Sequence, residues 1–428
     1  MDILVRGGKV YTGSGFQRQD IGIIDGRISF DTDRSFDDSF DASGLYIIPG
    51  LADAHVHLRE PGFSYKETIR TGTMAAAHGG VTSVLAMPNL NPAPCDRTSL
   101  EKELELIRRD ALIEVIPFGA ITMGRKGRGE LSDMEAMADH VCGFSDDGTG
   151  VQDEELMEAA MRKAAKLHKV ISAHCEDENE LKPGGCIHDG AYAREHGHVG
   201  INSESEWKQV ERDIRLAEKT GAAYHVCHVS TKESVRLIRE AKKRGVKVTC
   251  ETGPHYLIYT DMDLKESGAW KMNPPIRSAE DREELVKGIK DGTIDCIITD
   301  HAPHSAEEKG KGLDGSAFGI TGLETSLAAV YTYLVEPGII SFADMMRLMS
   351  EAPRRIFGIS GPGAFLKEGD EADLAIVDLE NSYRIDASKF YSMGRSTLFD
   401  GAEVKGRVMA TFYKGKMVYP FGPSDDRG

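Results

Sequence analysis

Residues 51–57 read Leu51-Ala52-Asp53-Ala54-His55-Val56-His57. This is a short, mostly apolar run of strand length, ending in two histidines one residue apart. Residues two apart on a strand point to the same side, so His55 and His57 project together while Val56 faces the other way. Two imidazoles at the C-terminal end of a strand form half of a metal site. A pair of hydrogen-bonded core histidines would leave the same short pattern, so the rest of the chain has to decide.

Outward from this stretch, apolar runs of similar length alternate with helical segments. The runs are Leu51–His57, Val81–Met87, Ile113–Ile121, Val141–Ser145, Val170–His174, Ala223–His228, Val246–Glu251 and Asp295–Asp300. Amphipathic stretches such as DEELMEAAMRKAAKL (153–167) and KESVRLIREAKKRG (232–245) lie between them. Strands alternating with helices imply βαβ units, and eight of them fit a closed (β/α)8 barrel of the TIM type. The ends of the chain read differently. ILVRGGKVYTG (3–13), QDIGIIDGRISF (19–30) and GLYIIPG (44–50) are short β-type runs broken by Gly and Asp turns, as are ADLAIVDLE (372–380) and VKGRVMATFYKGKMVYP (404–420). The simplest organisation is a barrel over 51–359 and one small β-sandwich domain built from 1–50 together with 360–428.

Composition narrows the function. Hydrophobic residues make up 40% and charged residues 28% of 428 positions, ordinary for a globular enzyme. The formal charge of −17 argues against nucleic acid or an anionic membrane as a partner and leaves a small-molecule substrate. Seven cysteines, an odd number without a CxxC pair, point to reduced thiols and a cytoplasmic location. No run of 18 apolar residues and no signal-peptide layout is present in the sequence.

Further candidate ligands fall at strand ends. His174 closes the fifth strand (VISAHCED), His228 the sixth (YHVCHVST) and Asp300 the eighth (CIITDHAPH). Barrel active sites gather at the C-terminal ends of the strands, so these side chains should converge with His55 and His57. Four His and one Asp suit Zn²⁺ or a similar borderline ion. A two-metal site also needs a bridging anion. The fourth strand, HVCGFSDDGTG (140–150), has no lysine, which leaves Asp146 and Asp147 as candidate bridges; a plain Asp-Asp-Gly turn is the alternative, and the position at the mouth favours the bridge. His225 has the wrong strand parity for a ligand and is assigned to packing or to a supporting contact. His255 receives no role. The Gly- and Lys-rich SAEEKGKGLDGSAFG (305–319) is expected to be a mobile loop over the site.

The set HVHLREPG, AMPN, FSDDG, AHCED, HVCHVST, NPPIR, TDHAPH and FGITGLET, spread over nearly the whole chain, resembles the dihydroorotases of the amidohydrolase superfamily. The resemblance is to the bacterial type with Asp in place of a bridging carboxylated lysine. It implies that His55, His57 and Asp300 hold one Zn²⁺ and His174 and His228 a second, with Asp147 as the bridge. It also implies a substrate pocket of His57, Arg59, Asn89, Asn273, His304 and the Phe318-Gly319 segment. Arg59 suits the substrate carboxylate chemically, because a guanidinium can fork to it; an ion pair with Glu60 or Glu67 is the plain alternative.

The implied reaction is the zinc-dependent, reversible hydrolysis of (S)-dihydroorotate to N-carbamoyl-L-aspartate in de novo pyrimidine biosynthesis. Asp300 is the catalytic proton carrier, working on a water whose pKa the metal lowers. A homodimer, and an aspartate transcarbamoylase as candidate partner, come with the resemblance. The rival enzymes are other cyclic amidohydrolases, namely hydantoinase, dihydropyrimidinase or allantoinase. Their substrates lack the ring carboxylate, so Arg59 with Asn89 speaks against them. A catalytically silent scaffold would be expected to lose metal ligands, which this chain retains.

Overall fold

Leu51–Val56 forms the first strand (β1) of a parallel barrel, and every one of its residues is buried. In the computed structural model, which describes residues 2–421, the remaining strands are Val81–Ala86 (β2), Glu114–Pro117 (β3), Gly143–Phe144 (β4), Val170–Ala173 (β5), Ala223–Val226 (β6), Val248–Thr252 (β7) and Cys296–Ile297 (β8). Parallel pairing runs β1–β2–β3 and β4–β5–β6–β7–β8. Single parallel bridges close the two gaps, Gly119 with Phe144 between β3 and β4, and Val56 with His301 between β8 and β1. The His57 amide donates to the His301 carbonyl at 2.8 Å across the second closure. Gly119 suits the first, because a Cβ there would lie 2.8 Å from the Phe144 ring.

Helices pack on the outside through one apolar stripe each. In Glu154–Lys166 the buried residues are Met157, Ala160, Met161 and Ala164, the i, i+3, i+4, i+7 face of a helix lying on a sheet. The Asp153 side chain caps its first turn by accepting from the Leu156 amide.

Both ends of the chain build two further sheets. One holds Ile3–Arg6, Ile21–Ile24, Arg27–Ser29 and Asp38–Asp41. The other joins Lys9–Tyr11, Phe16–Arg18 and Tyr46–Pro49 to Leu374–Asp378, Arg407–Tyr413 and Lys416–Tyr419. Val5, Ile21, Ile23, Ile47, Leu374, Ile376 and Phe412 fill the space between them. Alternation along each strand sends one set of side chains into this core, giving the sandwich. Among the described residues, no helix is long and apolar enough to cross a membrane.

Two expectations need correction. Several barrel strands are shorter than the apolar runs that predict them: β3 ends at Pro117 rather than Ile121, and β8 keeps only Cys296–Ile297. The chain leaves the ladder there to shape the mouth. The 305–319 segment is not an unanchored loop. It forms the helical turns Ala306–Lys309 and Gly312–Gly315. The Lys309 ammonium pins it by donating to the carbonyls of Lys271 (3.0 Å), Ala317 (2.7 Å) and Gly319 (2.7 Å).

Candidate functional site

Strands β1, β4, β5, β6 and β8 each deliver a side chain to one point at the C-terminal mouth. Asp147, just past β4, stands at the centre. Its carboxylate oxygens lie 3.3 Å from His55 Nε2, 3.5 Å from His57 Nε2, 3.8 Å from His174 Nδ1 and 3.5 Å from His228 Nε2. Asp300 Oδ1 sits 3.1 Å from His57 Nε2 and 3.6 Å from His55 Nε2. His174 Nδ1 and His228 Nε2 are 2.9 Å apart. All six side chains are buried.

Asp146, the other candidate bridge, points elsewhere. It accepts from the amides of Ile121 (2.8 Å), Thr122 (3.1 Å) and Gly127 (3.1 Å), and from the Thr122 hydroxyl. Those donors occupy its lone pairs and make it a loop anchor. The two neighbouring aspartates thus divide the work, one folding the turn and one facing the histidines.

The donor set fits a divalent cation. His55 Nε2 and Asp147 Oδ1 are buried without a hydrogen-bond partner, although each costs free energy when unsatisfied. Groups able to hold an ion are His55–His57–Asp300 and His55–Asp147–His228. The electrostatics agree. Burial disfavours the Asp147 anion, yet the histidines around it hold its pKa well below the usual carboxylate range. Asp300 is lowered in the same way against burial, chiefly by His57.

Glu251, which the sequence reading passed over, supports this cluster. On β7 it accepts from His55 Nδ1 at 2.7 Å and faces His225 Nε2 at 3.0 Å. A carboxylate on the second nitrogen of a ligating histidine fixes its tautomer and orientation. His225 therefore takes the supporting position. The signal was present as a lone carboxylate inside the apolar run VTCET, where an unpaired charge would be costly. Asp53 ties β1 to β8 by accepting from the Thr299 hydroxyl at 2.6 Å.

A cavity of about 230 Å³ opens beside the cluster, lined by Arg59, Asn89, Asn273, His304, Phe318 and Gly319 together with His57, His174, His228, Asp147 and Asp300. Arg59 is 9% exposed and donates through Nε to the Pro303 carbonyl at 3.1 Å. Neither Glu60 nor Glu67 takes it. Glu60 accepts from the Ile69 amide at 2.9 Å, and Glu67 binds the Ser392 hydroxyl and His301. Burial lowers the Arg59 pKa to about 10, so it stays charged at neutral pH.

Asn89 Nδ2 donates to the Asp147 carbonyl at 2.9 Å, and its Oδ1 is buried without a partner. Asn273 donates to Glu176 Oε1 at 2.9 Å. His304 donates from Nε2 to the Phe318 carbonyl at 2.8 Å and accepts the Lys66 ammonium on Nδ1 at 3.1 Å. Burial, then Arg59 and Lys66, push its pKa down to about 3, so it is neutral. His255 lies buried with Nε2 unpartnered, its pKa lowered to about 4 by burial.

A family model described as Dihydro-orotase-like matches residues 44–234. The chain is 47% identical to the dihydroorotase of Fusobacterium nucleatum subsp. nucleatum over 421 residues, 97% of this chain and 98% of that one. It is also 47% identical to the dihydroorotase of Bacillus cytotoxicus, over 89% of this chain and 88% of the relative. Among solved structures, the L-hydantoinase (dihydropyrimidinase) from Arthrobacter aurescens is similar at a TM-score of 0.85 and 26% identity, covering 97% of this chain and 95% of that one.

Proposed function

The chain belongs to the dihydroorotase family of cyclic amide hydrolases, and from that premise we propose how its barrel mouth interconverts dihydroorotate and N-carbamoyl-aspartate, a step of pyrimidine synthesis. Two Zn²⁺ ions, one held by His55, His57 and Asp300 and one by His174 and His228 with Asp147 between them, would supply a water that ionises near neutral pH and a Lewis acid for the ring carbonyl.

The chain's own groups do the rest. Arg59 receives the ring carboxylate, with Asn89 beside it. His304, neutral and held between Lys66 and Phe318, shapes the wall against which the ring lies. Asp300 is ionised and accepts the proton of the attacking water. It returns that proton to the ring nitrogen as the amide bond breaks, and the reverse reaction runs the same path.

One observation carries the choice of substrate: a buried guanidinium within the cavity that also contains Asp300, with no carboxylate paired to it among the described residues. A buried cation is costly unless an anion meets it. A dihydroorotate ring brings that anion, whereas hydantoin and dihydrouracil do not. The test is a panel of dihydroorotate, hydantoin, dihydrouracil and allantoin assayed on one preparation with its metal content measured. Turnover of dihydroorotate should exceed the others by orders of magnitude. Comparable turnover of dihydrouracil would remove the assigned role of Arg59.

A further inference from the structure

A second cluster of metal-type donors lies away from the six residues at the mouth. Cys186 precedes a two-stranded ribbon, Ile187–His188 with Gly200–Ile201, and His198 lies in the connection between those strands. Asp314 comes from the Gly312–Gly315 turn of the 305–319 segment. Asp314 Oδ1 is 3.3 Å from Cys186 Sγ and 2.8 Å from His198 Nδ1, and the three donor atoms all lie within 4.8 Å of one another. Tetrahedral Zn²⁺ bound by S, N and O would need separations of about 3.3–3.6 Å, which the Cys186–Asp314 pair already has and the His198–Asp314 pair reaches by opening about 0.5 Å.

The surroundings also match. His198 directs its other nitrogen to Glu266 Oε1 at 3.0 Å, and the Tyr192 hydroxyl holds the same oxygen at 2.8 Å. A ligating histidine is normally oriented in this way by a carboxylate on its far nitrogen. The Lys271 ammonium fixes the Asp314 backbone by donating to its carbonyl at 2.7 Å. Cys186 is buried, whereas the Asp314 side chain is 73% exposed, so solvent can reach a fourth position.

We infer that Cys186, His198 and Asp314 form a further binding site for a borderline or soft divalent cation such as Zn²⁺ or Co²⁺, separate from the cluster at the barrel mouth. Binding displaces the Cys186 thiol proton and the His198 Nδ1 proton to solvent, and the resulting thiolate, imidazole and carboxylate together select such an ion over Mg²⁺ or Ca²⁺. Occupancy cross-links the ribbon to the segment that carries Phe318 and Gly319, so the cation clamps one wall of the cavity. The site does not depend on which substrate that cavity takes.

The test uses the full chain with its barrel-mouth sites filled by Zn²⁺, titrated with Co²⁺ and followed by absorption and metal analysis. The expected result is one further equivalent of cobalt with a sulfur-to-cobalt charge-transfer band. Hydrogen exchange in 312–319 should slow as it binds. Cys186→Ser should lose both the band and the extra equivalent. His198→Gln carries the same expectation should the serine variant fold poorly. Glu266→Gln should weaken cobalt binding by about 10- to 100-fold. Among the described residues, Cys227 is the other thiol grouped with possible ligands, beside His55 and Glu251, so Cys227→Ser should keep the band. No extra equivalent in the parent, or a band that survives Cys186→Ser and disappears in Cys227→Ser, overturns the inference.

Discussion

Arg59 has a left-handed backbone (φ 64°), as do His228 (φ 32°) and Asp300 (φ 48°), all three lining the cavity. Non-glycine residues hold such conformations at a cost, and they concentrate where a side chain has to be aimed. For Arg59 the aim is into the cavity, and a charge-assisted hydrogen bond to a carboxylate is worth about 1.5–3 kcal/mol. Arg59→Met should therefore raise KM for dihydroorotate by roughly ten- to a hundredfold, since each 1.4 kcal/mol is a factor of ten. Metal content should stay constant, and any residual activity on dihydrouracil should not fall further. Equal loss on both substrates would make Arg59 a support for the fold. The alternation of His55 and His57 was readable from strand parity alone. Strand parity could not divide Asp146 from Asp147, since both sit in one turn; the family resemblance chose Asp147, and the surrounding amides show why Asp146 is consumed.

At the scale of elements, the barrel strands position the histidine–aspartate cluster and the connections shape the cavity. The 305–319 segment shows how a connection is held. Its Gly and Lys content suggested mobility, yet Lys309 lies buried against three carbonyls, and burial followed by Lys271 lowers its pKa to about 7. Lys309→Met keeps the stem and removes the donors. The expected result is a KM increase of about tenfold from the loss of a charged hydrogen-bonding group, with metal content unchanged and faster proteolytic nicking between 305 and 319. A variant with parental KM and parental resistance to proteolysis would show that the turns hold themselves. This anchor was hidden in the sequence because its acceptors, at 271, 317 and 319, are backbone atoms, whose presence no residue type records.

Across the whole molecule, three buried neutral histidines add an acid-labile contribution to stability, opposite in sign to that of His55, His174 and His198, whose pKa values are raised. Burial lowers the pKa of His188 to about 4, of His255 to about 4 and of His304 to about 3. These folded-state values lie below the ordinary histidine value, so below about pH 6.5 the unfolded chain binds protons that the folded chain refuses. Stability from this source is complete above about 6.5 and falls as the pH drops towards the folded values, by roughly 2 kcal/mol per group at pH 5. Melting at pH 7.5 and pH 5 should show a lower Tm at pH 5, and His188→Gln should reduce the proton uptake on unfolding by about one. Proton uptake on unfolding at pH 5 that is unchanged in His188→Gln would mean that this side chain is already charged inside the fold.

Periodicity by itself determined the alternating barrel and the β-rich ends, because strand and helix periods are local properties of side-chain order. Strand parity and strand ends were enough to nominate His55, His57, His174, His228 and Asp300, since barrel topology brings C-terminal strand ends together. The pairing of Glu251 with His55 and His225, the retreat of Asp146 into its turn, and the approach of Asp314 to Cys186 and His198 belong to the tertiary structure alone. They join residues up to 196 positions apart in the first case and 128 in the last, where contact depends on how strands close and connections fold back.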